Sequence, residues 1–153
     1  MAAETPTVHA SAVLAGARAV LIRGPAGAGK SQLALALIQA AQTGLLRFAR
    51  LVGDDRLHLE AHHGRLLVRP APALAGLIEV RGLGIRRLDY EPVAVVGLVV
   101  DLAAEDAERM PLAGETVLLG VAVRRLALAA GATPLTPVLA LLRSLDGDIK
   151  PPS

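Results

Sequence analysis

The sequence predicts an α/β fold, a mixed central sheet flanked by helices, on three observations. A short apolar run at 19–22 gives way to a glycine-rich stretch and then to a leucine- and alanine-rich segment at 31–42, the pattern of strand, tight loop and helix. Residues 93–100 are a nearly unbroken β-branched run, as expected of a strand covered on both faces. Thr136 followed by Pro137 signals a further helix over 138–145, with threonine as N-cap and proline in the first turn.

Taken in order, the strand at 19–22 ends at Arg23, and the helix at 31–42 carries Leu33, Leu35 and Leu37 before Gly44 closes it as a left-handed C-terminal residue. A second apolar segment, 48–52, stops at Gly53, Asp54 and Asp55. Residues 57–60 and 66–68 flank His62, His63 and Gly64 and read as a hairpin. The run at 93–100 stops at Asp101, 115–123 reads as another strand or hairpin, and 149–153 as a frayed tail. With 153 residues, no internal repeat and no long linker, residues 1–153 read as one domain.

Composition excludes several classes of function. The chain has no cysteine, which rules out disulfides, thiolate nucleophiles and cysteine-ligated zinc, and fits a reducing cytosol. Glu4, Arg18 and Arg23 interrupt the N-terminal stretch, so it lacks the features of a secretory signal, and a cytoplasmic location is expected. The longest stretch without a charge, 126–142, is broken by Gly131, Pro134 and Pro137 and falls short of the ~20 apolar residues a spanning helix needs, so no membrane association is expected. Net charge is +2, the arginines are scattered, and Phe48 and Tyr90 are the sole aromatics, so nucleic acid is not an expected partner.

Chemistry is concentrated at 24–31. Gly24, Pro25, Ala26, Gly27, Ala28, Gly29, Lys30 and Ser31 match G-x-x-x-x-G-K-[ST] between an apolar strand and a helix, the signature of a P-loop nucleotide-binding domain. Glycines let backbone N–H groups converge on a β-phosphate and the helix start adds positive potential. Lys30 is positioned to reach the β- and γ-oxygens and the Ser31 hydroxyl to hold magnesium, so ATP with Mg2+ is the expected cofactor pair. The loop fixes a ligand and not a reaction. A base and further metal oxygens must come from carboxylates at neighbouring strand ends: the Asp54/Asp55 pair or Asp101. Adjacent aspartates point in different directions, so one can face the metal and the other the nucleophile. That favours the pair and leaves Asp101 as a helix-capping or turn residue, although pattern alone does not separate the two sites.

Three stretches together resemble the catalytic domain of the HPr serine kinase/phosphorylase family. They are 9–31, in which His9 lies fifteen residues before Gly24; 51–55, an apolar strand ending in paired aspartates; and 77–85, which is similar to the family signature. Without the family, 77–85 is a strand-like run broken by Gly82 and Gly84. The resemblance covers about residues 9–88 well and thins thereafter; full-length members of the family carry an additional N-terminal domain, and its absence is expected here.

What the resemblance implies is an ATP-dependent protein serine kinase, acting on HPr, the small phosphocarrier of the sugar phosphotransferase system. In many members the phosphate is also removed by inorganic phosphate, and pyrophosphate is an alternative donor. It implies Asp54 as general base, with His9 beside it to orient and tune it, and Asp55 in metal or phosphate positioning. Glu79 would hold magnesium opposite Ser31, with Arg81, Gly82 and Gly84 shaping the wall of the site. The family's basic C-terminal catalytic loop is represented by Arg124 and Arg125, so Arg125 joins the catalytic candidates, and its sparse charge points to a kinase without phosphorylase activity. A homo-oligomer, a hexamer in the family, is implied too. The competing expectation is a nucleotide-dependent sensor or ATPase that regulates a partner protein.

Overall fold

The computed structural model describes residues 7–107 and 114–145, so the expected fraying at 149–153 lies outside the described residues. β1 (Thr7–His9), β2 (Ser11–Ala15) and β3 (Arg18–Arg23) lead to α1 (Lys30–Gln42), β4 (Ala49–Gly53) and the expected hairpin of β5 (Arg56–His62) and β6 (Arg65–Pro70). A second, small hairpin follows, β7 (Leu77–Val80) with β8 (Gly84–Arg87), and then β9 (Ala94–Asp101), β10 (Gly114–Leu118), β11 (Val121–Ala127) and α2 (Leu135–Leu145).

Among the described residues nine strands form one mixed sheet, ordered β1-β5-β6-β9-β3-β2-β4, with β11 added to β9 and β10 to β11. β3 and β11 run parallel to β9, and the other pairings are antiparallel. β9 is the branch point. Ala94 and Val95 pair with β6, residues 98–101 pair with β11, and β3 occupies the opposite edge. Its β-branched composition fits this demand for a strand bonded on both edges and packed on both faces.

The period of two along β3 sorts its residues between two cores. Val20 and Ile22 pack with Leu33, Ala34 and Leu37 of α1 and with Val138 and Leu142 of α2. Ala19 and Leu21 face the other way, onto Leu57 and Leu59 of β5 and Leu66 and Val68 of β6. The sheet is mixed and flanked by helices as expected: α1 and α2 share one face, and the sheet's own curled arm covers the other. The reason lies in the hairpin sequence. β5 and β6 bury alternate residues, making a one-sided apolar ribbon, and burying each such leucine or valine is worth roughly 1.5–3 kcal/mol. Folding that ribbon over the sheet supplies what a second helical layer would.

α2 also starts earlier than expected. The Val138 N–H donates to Pro134 O at 3.2 Å, so Pro134 takes the cap position and Thr136 lies within the first turn with Pro137, where a missing N–H costs nothing. No helix among the described residues is long and apolar enough to cross a membrane.

Candidate active site

The loop 24–29 leaves the end of β3 in the middle of the sheet and delivers the chain into α1. Its first residue has no freedom of identity. Leu102 N–H donates to Arg23 O at 2.8 Å, drawing the β9 exit against the loop, and a Cβ on Gly24 would stand 3.0 Å from Leu102 O and 3.1 Å from its Cβ. Lys30 opens α1 and folds its ammonium over the loop, donating to Gly24 O at 2.8 Å and to Pro25 O at 3.2 Å. A compact cation is thus held at the centre of a turn of backbone amides.

β4 lies along β2 and ends beside the start of α1, where it projects both aspartates. Asp54 is buried at 4 % exposure. Its carboxylate accepts from Ser31 Oγ at 2.8 and 2.9 Å, from Ser11 Oγ, and from the Glu79 backbone N–H at 3.2 Å. Asp55 turns outward in a left-handed conformation, φ 72, and its Oδ1 lies 3.8 Å from His9 Nδ1, with both side chains largely exposed. The two carboxylates do diverge, but with partners exchanged. His9, expected beside Asp54, stands beside Asp55, because β1 pairs with β5 so that His9 is opposite Arg56, the residue after Asp55. Ser31, the expected magnesium ligand, is hydrogen-bonded to Asp54 instead of standing near Asp55.

Ser11 escaped the sequence reading. It is fully buried, and its one signal is a hydroxyl at the head of an otherwise apolar strand, SAVLA.

Glu79 and Arg81 arrive on the β7–β8 hairpin. Ile78 anchors it in the helix-side core at 1 % exposure. Leu83 N–H donates to Val80 O at 3.0 Å with Gly82 at φ 86, the positive value that the third residue of a type II turn requires. Arg81 reaches back to α1. With the Gln32 amide oriented by its neighbours' hydrogen-bonding sense, its oxygen accepts from Arg81 Nε and Nη1 at 3.2 Å each.

These elements enclose a cleft of about 660 Å³ that brings His9, Lys30, Ser31, Asp54, Asp55 and Glu79 to one opening. Gly24, Ala26, Gly27 and Gly29 line it from the loop, and Arg81, Gly82 and Gly84 from the hairpin. Pro25 and Ala28 border a separate hollow on the loop's other side, which Ala26 and Gly27 border as well.

Arg125 is not brought to the cleft. Parallel pairing of β11 with β9 places it by Asp101, where it donates through Nε to Asp101 and through Nη1 and Nη2 to Asp106 at 2.7 and 3.0 Å. Arg23, directly opposite Asp101 in the β3–β9 register, donates Nε and Nη2 to the same carboxylate at 2.7 Å each. Asp101 is therefore neither a cap nor a turn residue, as the sequence suggested, but the shared acceptor of two guanidinium groups at the ends of three parallel strands. Burial by itself would raise its pKa; the hydrogen bonds and charges of Arg23 and Arg125 outweigh that and hold it below the ordinary aspartate value. Asp106 and Asp101 in turn keep the Arg125 guanidinium more firmly protonated than usual.

Beside the His9 imidazole, the donors facing the cleft are hard oxygens: the Ser31 hydroxyl and the carboxylates of Asp54, Asp55 and Glu79. No cluster of three or more His, Cys, Asp or Glu arranged as a metal cage occurs among the described residues. That donor set fits magnesium, which takes one or two protein ligands and completes its sphere with phosphate oxygens and water.

Residues 1–90 match the family described as HPr Serine kinase C-terminal domain. HPr kinase/phosphorylase of Streptococcus thermophilus is 42 % identical over 84 residues, 54 % of this chain and 25 % of that protein. The HPr kinase/phosphorylase of Lactobacillus delbrueckii subsp. bulgaricus is 35 % identical over 100 residues, 65 % of this chain and 29 % of that protein. The matched segment thus spans about a quarter of the length of these curated relatives. Among solved structures, the Hpr(Ser) kinase/phosphatase from Coxiella burnetii superposes with a TM-score of 0.74 at 26 % identity, covering 95 % of this chain and 99 % of that one.

Proposed function

The chain belongs to the HPr serine kinase C-terminal domain family, and from that premise we propose that it transfers the γ-phosphoryl group of ATP, with magnesium, to a serine hydroxyl on an HPr-type phosphocarrier. The observation that carries this reading is the division of the aspartate pair. One carboxylate is buried on Ser31 beside Lys30, and its neighbour opens with a histidine into the same cleft.

In this reading the amides of 24–29 and Lys30 bind the β- and γ-phosphates, because they concentrate positive potential where the polyanion must lie. Ser31, Asp54 and Glu79 are the residues that would hold magnesium, and the ion supplies neutralisation of charge on the phosphate oxygens. Asp55 is the base. Its exposed carboxylate takes the proton as the serine oxygen bonds to phosphorus and the bond to the β-phosphate oxygen breaks, releasing ADP. His9 positions Asp55. These assignments exchange the roles that the resemblance gave the two aspartates, and geometry is the reason: Asp54 is committed to Ser11, Ser31 and the Glu79 amide, and only its neighbour is open to an incoming protein.

Phosphorolysis would ask one anion to attack another and so needs unpaired positive charge. Arg125 is bound to two carboxylates, which supports a kinase lacking the reverse activity.

Incubation with ATP, magnesium and purified HPr tests the proposal. Phosphoserine on HPr with wild-type protein and its loss with Asp55→Asn is the expected result; wild-type protein that phosphorylates no HPr would refute it.

A further inference from the structure

Among the described residues Ser11 is the one polar side chain with no exposure at all. Its chain neighbours, Ala10 and Ala12, are buried as completely, so alanine would fill the position, and the hydroxyl answers to something other than packing. We propose that Ser11 is a positioning residue for the metal end of the cleft: by holding the Asp54 carboxylate it sets where Ser31 presents its oxygen to magnesium. The proposal rests on the reading of Ser31, Asp54 and Glu79 as the residues that would hold the ion.

Three observations carry it. The first is register. Val13 faces Leu51 and Leu14 faces Arg50 across β2 and β4, but the register shifts between Val13 and Ala12, and Ala12 faces Gly53. Carried one residue on, the shifted register brings Asp54 level with Ser11. Without the extra residue, Val52, Asp54 would have come level with Ala10, which has no side-chain donor. Bulges of this kind re-aim side chains beside functional sites. On its other edge Ser11 pairs with Ile22, two residues before Gly24, so the hydroxyl stands between the strand that launches the loop and the strand that ends in the aspartates.

The second is the geometry of the carboxylate. Ser11 Oγ donates to Asp54 Oδ1, and the Glu79 backbone N–H donates to Oδ2 at 3.2 Å. These two anchors come from different elements, β2 and β7, and grip opposite oxygens, so together they fix the carboxylate plane. Ser31 donates across both oxygens, at 2.8 and 2.9 Å, and with its proton committed there its lone pairs are left for a cation. With Ser11 removed one anchor remains, about which the carboxylate can swing and carry Ser31 with it. The third is the demand of the ion. Magnesium requires near-octahedral geometry, so a small swing of its ligands is felt as lost affinity. Groups that orient metal ligands are typically worth about 10–100-fold in metal affinity.

Calorimetry of ATP binding with magnesium and in EDTA tests it, the quantity read being the gain in ATP affinity that magnesium brings. Ser11→Ala is expected to lower that gain about tenfold or more, with ATP affinity in EDTA within about twofold of wild type. Val13→Ala, in the same strand and equally buried but outside the cleft, is the control: it should lower Tm and leave the gain intact. A full gain in Ser11→Ala overturns the proposal even if Tm falls, because the hydroxyl is then structural only. An equal loss in EDTA overturns it too, since the phosphate cradle and not the metal is then disturbed. So does loss of the gain in Val13→Ala, which traces both losses to a loosened strand. Should Ser11→Ala not fold, Ser11→Cys nearly keeps the shape with a weaker donor; a loss of about threefold or more is expected of it, and a full gain overturns the proposal as well. Wild-type protein whose ATP affinity gains nothing from magnesium removes the magnesium reading, and the role of Ser11 with it.

Discussion

Ser31 directs its hydroxyl between the two carboxylate oxygens of Asp54, 2.8 Å from one and 2.9 Å from the other. The same carboxylate holds fully buried Ser11 and the Glu79 amide. Asp54→Ala should therefore cost both function and stability. Stranding buried partners costs roughly 1–3 kcal/mol each, so a fall of several degrees in Tm is expected together with loss of magnesium-dependent phosphotransfer. Thermal melts and a kinase assay on one preparation check it; an unchanged Tm would show that Asp54 holds nothing together.

Asp55 should behave in the opposite way. Its side chain is 68 % exposed, and its left-handed backbone suits asparagine. Asp55→Asn should leave Tm unmoved and lower kcat by about 10²–10⁴-fold with little change in the KM for ATP. His9→Ala should produce a smaller fall in kcat, and none further when added to Asp55→Asn, because His9 acts through that carboxylate. Additive losses in the double variant would separate the two.

Lys30→Ala should weaken tripolyphosphate and ATP binding together, by roughly ten- to a hundredfold, the loss of one charge-assisted hydrogen bond. Lys30→Arg should not restore it, since a planar fork cannot occupy the space from which the ammonium reaches Gly24 O and Pro25 O. Calorimetry with tripolyphosphate reads both variants.

Acid stability should report on Asp101. Its folded-state pKa lies below the unfolded value, so its contribution is fully present above about pH 4 and is lost as pH falls through the depressed folded value. Asp101→Asn should lower Tm at pH 7 and flatten its decline below pH 4. Two guanidinium groups lose their shared acceptor, and because both keep partial contact with solvent the cost is expected below the about 3–5 kcal/mol of a fully buried pair. Melting curves from pH 7 to pH 3 on both proteins supply the comparison.

What the sequence made legible was whatever the chain encodes over a few residues. The strand, loop and helix around 24–31, the hairpin at His63–Gly64 and the β-branched run into Asp101 are local patterns, and the structure has all three. The phosphate loop was readable from its own motif and the aspartate pair as one of two candidates, whereas 79–84 entered the site only through the family resemblance; residues of all three segments line the cleft. Partnerships were not legible. Which aspartate meets His9 depends on the register of β1 against β5, and which carboxylate holds Arg125 depends on β11 lying parallel to β9. Register is a long-range property, and a one-residue difference sends a side chain to the opposite face. Nor does any helix-period signal reveal that a curled hairpin, and not a helix, closes the second core.

The forked strand β9 carries an implication for how the chain can be divided. Every reactive group of the cleft falls within the first 90 residues, yet the beam that joins β3 to β6 begins at Ala94. A fragment ending at residue 90 would keep the whole toolkit and lose the bench: β2 would still tie the loop's strand to that of the aspartates, but the arm of β1, β5 and β6 that carries His9 would lose the strand that joins it to them, leaving two bare apolar margins. The strand that joins the two parts of the sheet thus lies beyond the residues the family match covers.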